Sequence, residues 1–288
     1  MLEIDTGLRE AFRLETYLSQ HQIIGNVEYN HSLICNAQHL QVLTVLTAIQ
    51  QLHLLTVNKG SMIANQTART HVLNGLGKRT RTIWVNLRRI YHEIPPDRNE
   101  PLASEDNIEL SDRINSIYIN LRGSLDNAAW ALLATEAPNS KLSQTAVNLF
   151  DSRWQRETNL VNLPFLDNHS KWFTEMKDRR DPAAHRIPLS FVPAILNSTH
   201  LQKRKILTEQ VYNLNMRLGH IQDDAQLECI LEEIQQCYDN IEKLGDFLPM
   251  FVFDPGQQPV PLYPTLTTDI AHVIEVIEGC LEVITLKQ

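Results

Sequence analysis

The chain holds 288 residues, 43% hydrophobic and 21% charged, a composition able to bury the core of one large domain or two ordinary ones. Its formal net charge of −8 argues against a protein that coats nucleic acid with a dominant basic surface, although not against a local basic site. Only 10 glycines are present, too little turn chemistry for a β-sandwich or barrel but well suited to long helices, where each interior Gly costs roughly 1 kcal/mol against Ala.

Met1-Leu2-Glu3-Ile4-Asp5 lacks a basic stretch followed by an apolar run, so it does not read as a secretory signal. The most apolar stretch, Leu40 to Val57, is interrupted by Gln41, Gln50, Gln51 and His53. A bilayer span needs about 20 mostly apolar residues, so a buried helix is expected. Within 33–55, Val42, Val45, Leu46 and Ile49 follow the i, i+3, i+4, i+7 pattern of one buried stripe. Gly75 and Gly77 suggest a bend or a helix start near Lys78, after which Ile83, Leu87, Ile90 and Ile94 share one face. Pro95-Pro96 ends that block, because proline cannot continue a helix and restricts its predecessor.

A polar loop is expected up to about Asp106, then the strongest helix, 108–135, with Ile114, Ile117, Leu121, Leu125, Ala128 and Leu132 in one stripe and Pro138-Asn139-Ser140 closing it. Residues 141–170 are mixed, with a short helix predicted over 147–156. His169 to Arg180 reads as a helix, and Asp181-Pro182 as a fresh start, since Asp is a favoured N-cap and Pro a favoured first residue. Pro188 and Pro193 make 187–194 extended or loop-like. Helices follow over 201–218, stopped by Gly219, and 224–244, stopped by Gly245. Five prolines make 249–264 an ordered crossover or surface loop, and a last helix is predicted from Thr267 to Leu286. Helices without βαβ alternation give an all-α bundle. The four cysteines form no CxxC pair and no zinc-finger spacing, so all four read as reduced core residues. Without a signal, a span or a disulfide pattern, the expectation is a cytoplasmic protein with no membrane partner. Trp84, Trp130, Trp154 and Trp172 are expected to fill core.

Phosphate-binding loops, the dinucleotide fingerprint, the G-x-S-x-G elbow and H-E-x-x-H are all missing from the sequence. The set that carries chemistry is Arg180-Asp181-Pro182-Ala183-Ala184-His185. A histidine titrates near neutral pH and can move a proton, while arginine stays charged and holds phosphate with paired hydrogen bonds. An Arg four to six residues before a His should occur about twice by chance in such a composition. The spacing alone therefore favours a hydrogen-bonded structural histidine beside a helix cap. Asp126, one turn after Arg122, is expected to form an i, i+4 pair with it; a role lining the site of Arg180 and His185 is the sharper alternative.

The run from Arg180 through His185-Arg186-Ile187-Pro188 resembles the Arg-x4–6-His segment of the HEPN superfamily, and Leu125-Asp126-Asn127-Ala128-Ala129-Trp130-Ala131-Leu132 resembles a helix of the same group. The resemblance covers about residues 67–245. It implies an HEPN-like helical bundle at 67–245 with extra terminal helices: an N-terminal helical segment at 1–66, and a Pro-rich crossover with a C-terminal helix at 246–288 packing on the bundle. It also implies an endoribonuclease that needs no metal or cofactor and acts in toxicity or defence. His185 would transfer the proton, Arg180 would hold the scissile phosphate, and Asp181 would support them. Arg179, Arg186 and Arg122 would contact RNA, two copies would form one cleft, and an antitoxin would be a partner. The other expectation is a non-catalytic helical module that binds RNA, a nucleotide or a protein.

Overall fold

The computed structural model describes residues 27–161, 163–185, 187–219, 221, 223–253 and 258–286; the side chains of 27–31, 183–185 and 286 lie outside the description. The fold is mainly α-helical. Its order is α1 (Val27–Met62), α2 (Gln66–Thr70), a π-helical turn (His71–Leu76), α3 (Gly77–Glu93), α4 (Ser104–Glu136), a 3₁₀ turn (Gln144–Ala146), α5 (Ser152–Glu157), α6 (Pro164–Asp167), α7 (Ser170–His185), β1 (Ser190–Phe191), α8 (Ser198–Leu218), α9 (Asp224–Glu242), β2 (Met250–Val252), β3 (Val260–Pro261) and α10 (Leu262–Leu286).

The expected stripes become one core. Val42, Val45, Ile49 and Leu52 of α1 meet Ile83, Leu87 and Ile90 of α3, Ile114, Ile117, Leu121 and Leu132 of α4, and Ile270, Ile277 and Ile284 of α10. Burying one such side chain contributes about 1.5–3 kcal/mol. Among the described residues, the first and last helices are thus members of the central layer (α10 packs on both α1 and α4). By length and composition, a segment of α1, Ser32–Met62, could cross a bilayer. Its inner stripe is in this core, while Leu40, Leu43, Leu54 and Met62 face outward. Trp154 and Trp172 are buried, whereas Trp84 and Trp130 are only half-buried against the core.

Several local expectations are corrected. α3 does begin at Gly77, as expected near Lys78, but it continues a helical path that starts further upstream. The chain enters at Asn65, whose side chain caps Ala68 N–H at 3.0 Å, runs through α2, widens into the π turn containing Gly75, and continues as α3. Asp181-Pro182 is not a fresh start either: α7 runs unbroken from Ser170 to His185 with Pro182 inside its last turn. Pro182 has no N–H to give the carbonyl one turn back and its ring crowds that carbonyl, so the last turn of α7 is held by one backbone bond fewer, and the Asp181 carboxylate accepts from Arg180 Nη1 at 3.0 Å. The Pro-rich crossover contains structure as well. Phe251 of β2 pairs with Phe191 of β1 and Val260 of β3 in a small antiparallel sheet ordered β1-β2-β3, and its ring is fully buried. α10 starts earlier than expected because Pro264 falls in its first turn, where a missing N–H costs no helical bond. Of the cysteines only Cys35 and Cys280 are core; Cys229 is exposed and Cys237 half-buried on α9.

α8 and α9 stand apart from that core. Asn197 caps α8 by accepting His200 N–H at 2.9 Å, and Asp223 caps α9. The two helices pack chiefly on each other, through Val211, Leu214, Ile230 and Ile234. Gly245, at φ 118°, returns the chain to the body in a conformation disfavoured for other residues.

Candidate functional site

The π turn and the middle of α4 form a polar strip. A π-helical turn inserts an extra residue into the helical ladder and re-aims the side chains around it; such turns recur at functional sites. Here the turn brings His71 to Asn127 of α4, Nδ1 to Oδ1 at 3.2 Å, and lays the imidazole on the Trp130 indole with centroids 5.9 Å apart and planes 12° off parallel. Asn127 also donates to the Gly123 carbonyl at 2.7 Å. Gly75 admits this arrangement: a Cβ there would lie 2.1 Å from Asn127 Oδ1. Gly123 admits Arg79, whose Cζ would lie 2.3 Å from a Cβ at that position. Arg79 Nη1 donates onward to Asn120 Oδ1 at 3.3 Å.

The same stretch of α4 presents Arg122 and Asp126, which form the expected i, i+4 pair at 3.1 Å. Arg122 also lies over the Phe173 ring of α7, 4.8 Å from its centroid, and this fixes the guanidinium beside α7. From α7 come Arg180 and Asp181, themselves paired at 3.0 Å. Burial raises the Asp126 carboxyl above its ordinary value, and the charges of Arg122, Arg180 and Arg79 oppose that rise. Burial lowers Arg122; Asp126 opposes this, while Arg180 adds to it. Three guanidinium groups therefore share one half-buried region with two carboxylates. An incoming phosphodiester offers guanidinium forks the same planar acceptors as a carboxylate and could exchange with Asp126 or Asp181.

Arg180, Asp181 and Arg122 come together. His185 ends α7 by its backbone, with its side chain outside the described residues, and Arg186 lies outside them altogether. Arg179 turns the other way. Its Nε and Nη2 reach Asp269 of α10 at 2.8 and 2.7 Å, and Asp269 also accepts from Tyr118 and Trp172, each at 2.8 Å. Burial works against the Arg179 charge, yet the Asp269 bonds outweigh it and leave the guanidinium above its ordinary value. This cluster is a tie between α4, α7 and α10. Beside it His169 Nδ1 meets His272 Nδ1 at 2.7 Å, and His272 stacks on Trp172.

His71, Asn127 and Arg79 were not among the sequence candidates. Their signal was the glycines: Gly75 in the middle of a helical run and Gly123 inside the strongest helix. Among the described residues no group of three or more His, Cys, Asp or Glu is placed to hold a metal ion. No family model, curated protein or solved structure matches the chain.

Proposed function

We propose that the chain is an endoribonuclease of HEPN type, acting without metal in toxicity or defence, with Arg180 and His185 as its reacting pair. The observation that carries this reading is the pairing of Arg122 with Asp126 at 3.1 Å and of Arg180 with Asp181 at 3.0 Å, with the charges of Arg180 and Arg79 also felt at Asp126, in an otherwise acidic chain and near the helix turn that ends at His185. In the proposed step, His185 accepts the ribose 2′-OH proton while the 2′ oxygen bonds to the adjacent phosphorus. The P–O5′ bond breaks, the departing 5′ oxygen takes a proton, and a 2′,3′-cyclic phosphate remains. Arg180 holds the phosphate and stabilises its growing charge, and Arg122 supplies a second fork.

A second reading is favoured by one observation. Asp126 and Asp181 already neutralise Arg122 and Arg180, as they would in a non-catalytic module that binds RNA, a nucleotide or a protein. Labelled single-stranded RNA in EDTA separates the two. The nuclease reading expects cleavage with cyclic-phosphate ends by the wild type, and none by His185→Ala or Arg180→Ala at matched circular dichroism. RNA left intact by every protein gives the site to the binding module.

A further inference from the structure

We infer that His71 is a second proton-transfer residue of this site, the one that protonates the departing 5′ oxygen, an inference that rests on the nuclease reading, in which that oxygen needs a proton besides the one His185 takes. Asn127 fixes the tautomer of His71. One amide atom of Asn127 lies 2.7 Å from the Gly123 carbonyl oxygen, and the other lies 3.2 Å from His71 Nδ1. A carbonyl oxygen only accepts, so the atom facing Gly123 is the amide nitrogen and the atom facing His71 is the amide oxygen. That oxygen also only accepts, so His71 Nδ1 carries a hydrogen and donates it. The neutral ring therefore holds its lone pair on Nε2, which meets no hydrogen-bond partner among the described residues and is not enclosed. The half-buried imidazole lies on Trp130 with planes 12° off parallel. One bond and one stack thus set the ring plane and leave one nitrogen open. A hydrogen bond that occupies one ring nitrogen is how a fold chooses the atom at which the imidazole exchanges protons. Nδ1–H serves Asn127 in both charge states, so Nε2 can lose and regain its proton without rearrangement. The arrangement needs Gly75, where a Cβ would lie 2.1 Å from the same amide oxygen.

The surroundings of His71 indicate what receives the proton. The segment that bears His71, Gly75 and Arg79 follows α4 step by step, meeting it at Trp130, then Asn127, then Gly123 and Asn120. The Arg79 guanidinium lies on Gly123, about one helical turn (roughly 5.4 Å) from Asn127. Asp126, paired with Arg122, is one turn from Trp130. A guanidinium and an imidazole that share one phosphodiester each stand about 3 Å from one of its oxygens, a span of the same order. Arg79 and Arg122 hold non-bridging oxygens, and His71 Nε2 faces the bridging 5′ oxygen. In the step itself His71 starts protonated on both nitrogens. It gives the Nε2 proton to O5′ as the P–O5′ bond breaks, while His185 takes the 2′-OH proton. Afterwards His185 releases a proton to water and His71 takes one up, which restores both rings.

A substrate whose leaving group needs no proton tests this role. A single-stranded RNA is made with sulfur in place of the bridging 5′ oxygen at the linkage the wild type cuts. Thiols ionise near pH 8.5 (about), so the sulfur departs as a thiolate without a general acid. In EDTA and at matched circular dichroism, His71→Ala is expected to cut the oxygen linkage about 100-fold more slowly than the wild type, and the sulfur linkage at close to the wild-type rate. Asn127→Ala, which frees the ring, should show a smaller loss that the sulfur linkage also removes. His185→Ala should stay inactive on both linkages. Equal cleavage of the oxygen linkage by His71→Ala and the wild type overturns this role alone and leaves the nuclease reading standing. A loss that persists on the sulfur linkage also overturns it, because His71 would then serve the fold. RNA of either kind left intact by the wild type overturns this role together with the nuclease reading.

Discussion

Arg179 grips Asp269 with two hydrogen bonds, to a carboxylate that is 1% exposed. The pair links the second-to-last turn of α7 to the first half of α10 across a sequence separation of 90, and the Tyr118 hydroxyl and Trp172 indole complete the carboxylate's shell. Removing one member of a buried pair leaves the other charged and unpaired, which costs about 3–5 kcal/mol. Asp269→Asn is therefore expected to lose about that much in urea unfolding. Burial and the Asp269 charge also hold the Tyr118 hydroxyl well above its ordinary value, so replacing Asp269 should bring the tyrosinate absorbance change to lower pH in the folded protein. An unchanged unfolding midpoint would mean that the tie contributes nothing.

Adjacent arginines thus have opposite fates. Arg179 belongs to the fold and Arg180 to the polar strip, a division that follows from the 100° step of the helix. That step was legible in the sequence, but the location of Asp269 was not, because its stripe on α10 could be oriented only once α10 had been docked. The stripes of α1, α3 and α4 were readable because Val42, Ile83 and Ile114 recur at helical spacing among polar residues. The Pro182 helix was misread because a cap and a proline in a last turn share the dipeptide Asp-Pro. The β1–β3 sheet was hidden because Phe251 sits between prolines, and its pairing with Phe191 depends on contacts about 60 residues away. His71 was missed because the π turn shifts it off the periodic pattern.

Glu278 gives a pH signature. One of its carboxylate oxygens is buried without a hydrogen-bond partner, and burial, followed by the charges of Glu282 and Glu275, raises the group to about 7. Its folded value lies above the ordinary 4.5. The folded chain therefore holds the proton more tightly, and this contribution to stability is complete below about pH 4.5 and lost as pH rises to about 7. Glu278→Gln is expected to remove the loss. After allowing for solvent screening, its advantage over the wild type should grow by about 2 kcal/mol between pH 4.5 and 8. A difference that stays flat across that interval would contradict the assignment.

His272 acts in the opposite direction. Burial and then the His169 charge lower it from its ordinary 6.5, so the fold favours the neutral ring. The 2.7 Å contact with His169 then requires one ring nitrogen to donate and the other to accept. Stability from this pair is complete above about pH 6.5 and is lost as pH falls, because the unfolded chain takes up the proton first. Thermal unfolding of His272→Gln between pH 5 and 7.5 should show a shallower acid dependence than the wild type. Equal slopes would exclude His272 as the titrating group.

Gly123 offers a way to separate the polar strip from the fold that carries it. Its lack of a side chain lets the Arg79 guanidinium lie on α4, and an added Cβ would fall 2.3 Å from Arg79 Cζ and Nη1. The obstructing atoms are the far end of a flexible side chain, which can swing into solvent at small cost. The helix gains up to about 1 kcal/mol from replacing an interior glycine with alanine. Gly123→Ala should therefore melt no lower than the wild type. A bond between a guanidinium and a phosphate is worth about 1.5–3 kcal/mol, so if Arg79 serves the strip, the same variant should bind a short single-stranded RNA about tenfold more weakly. Arg79→Ser should reproduce that loss, and the double variant should add nothing to it, because both changes remove one contact. Fluorescence anisotropy at fixed salt reads all three. Additive losses would place Arg79 outside the binding surface, and a lower melting temperature for Gly123→Ala would show that the Arg79–Asn120 contact serves stability instead.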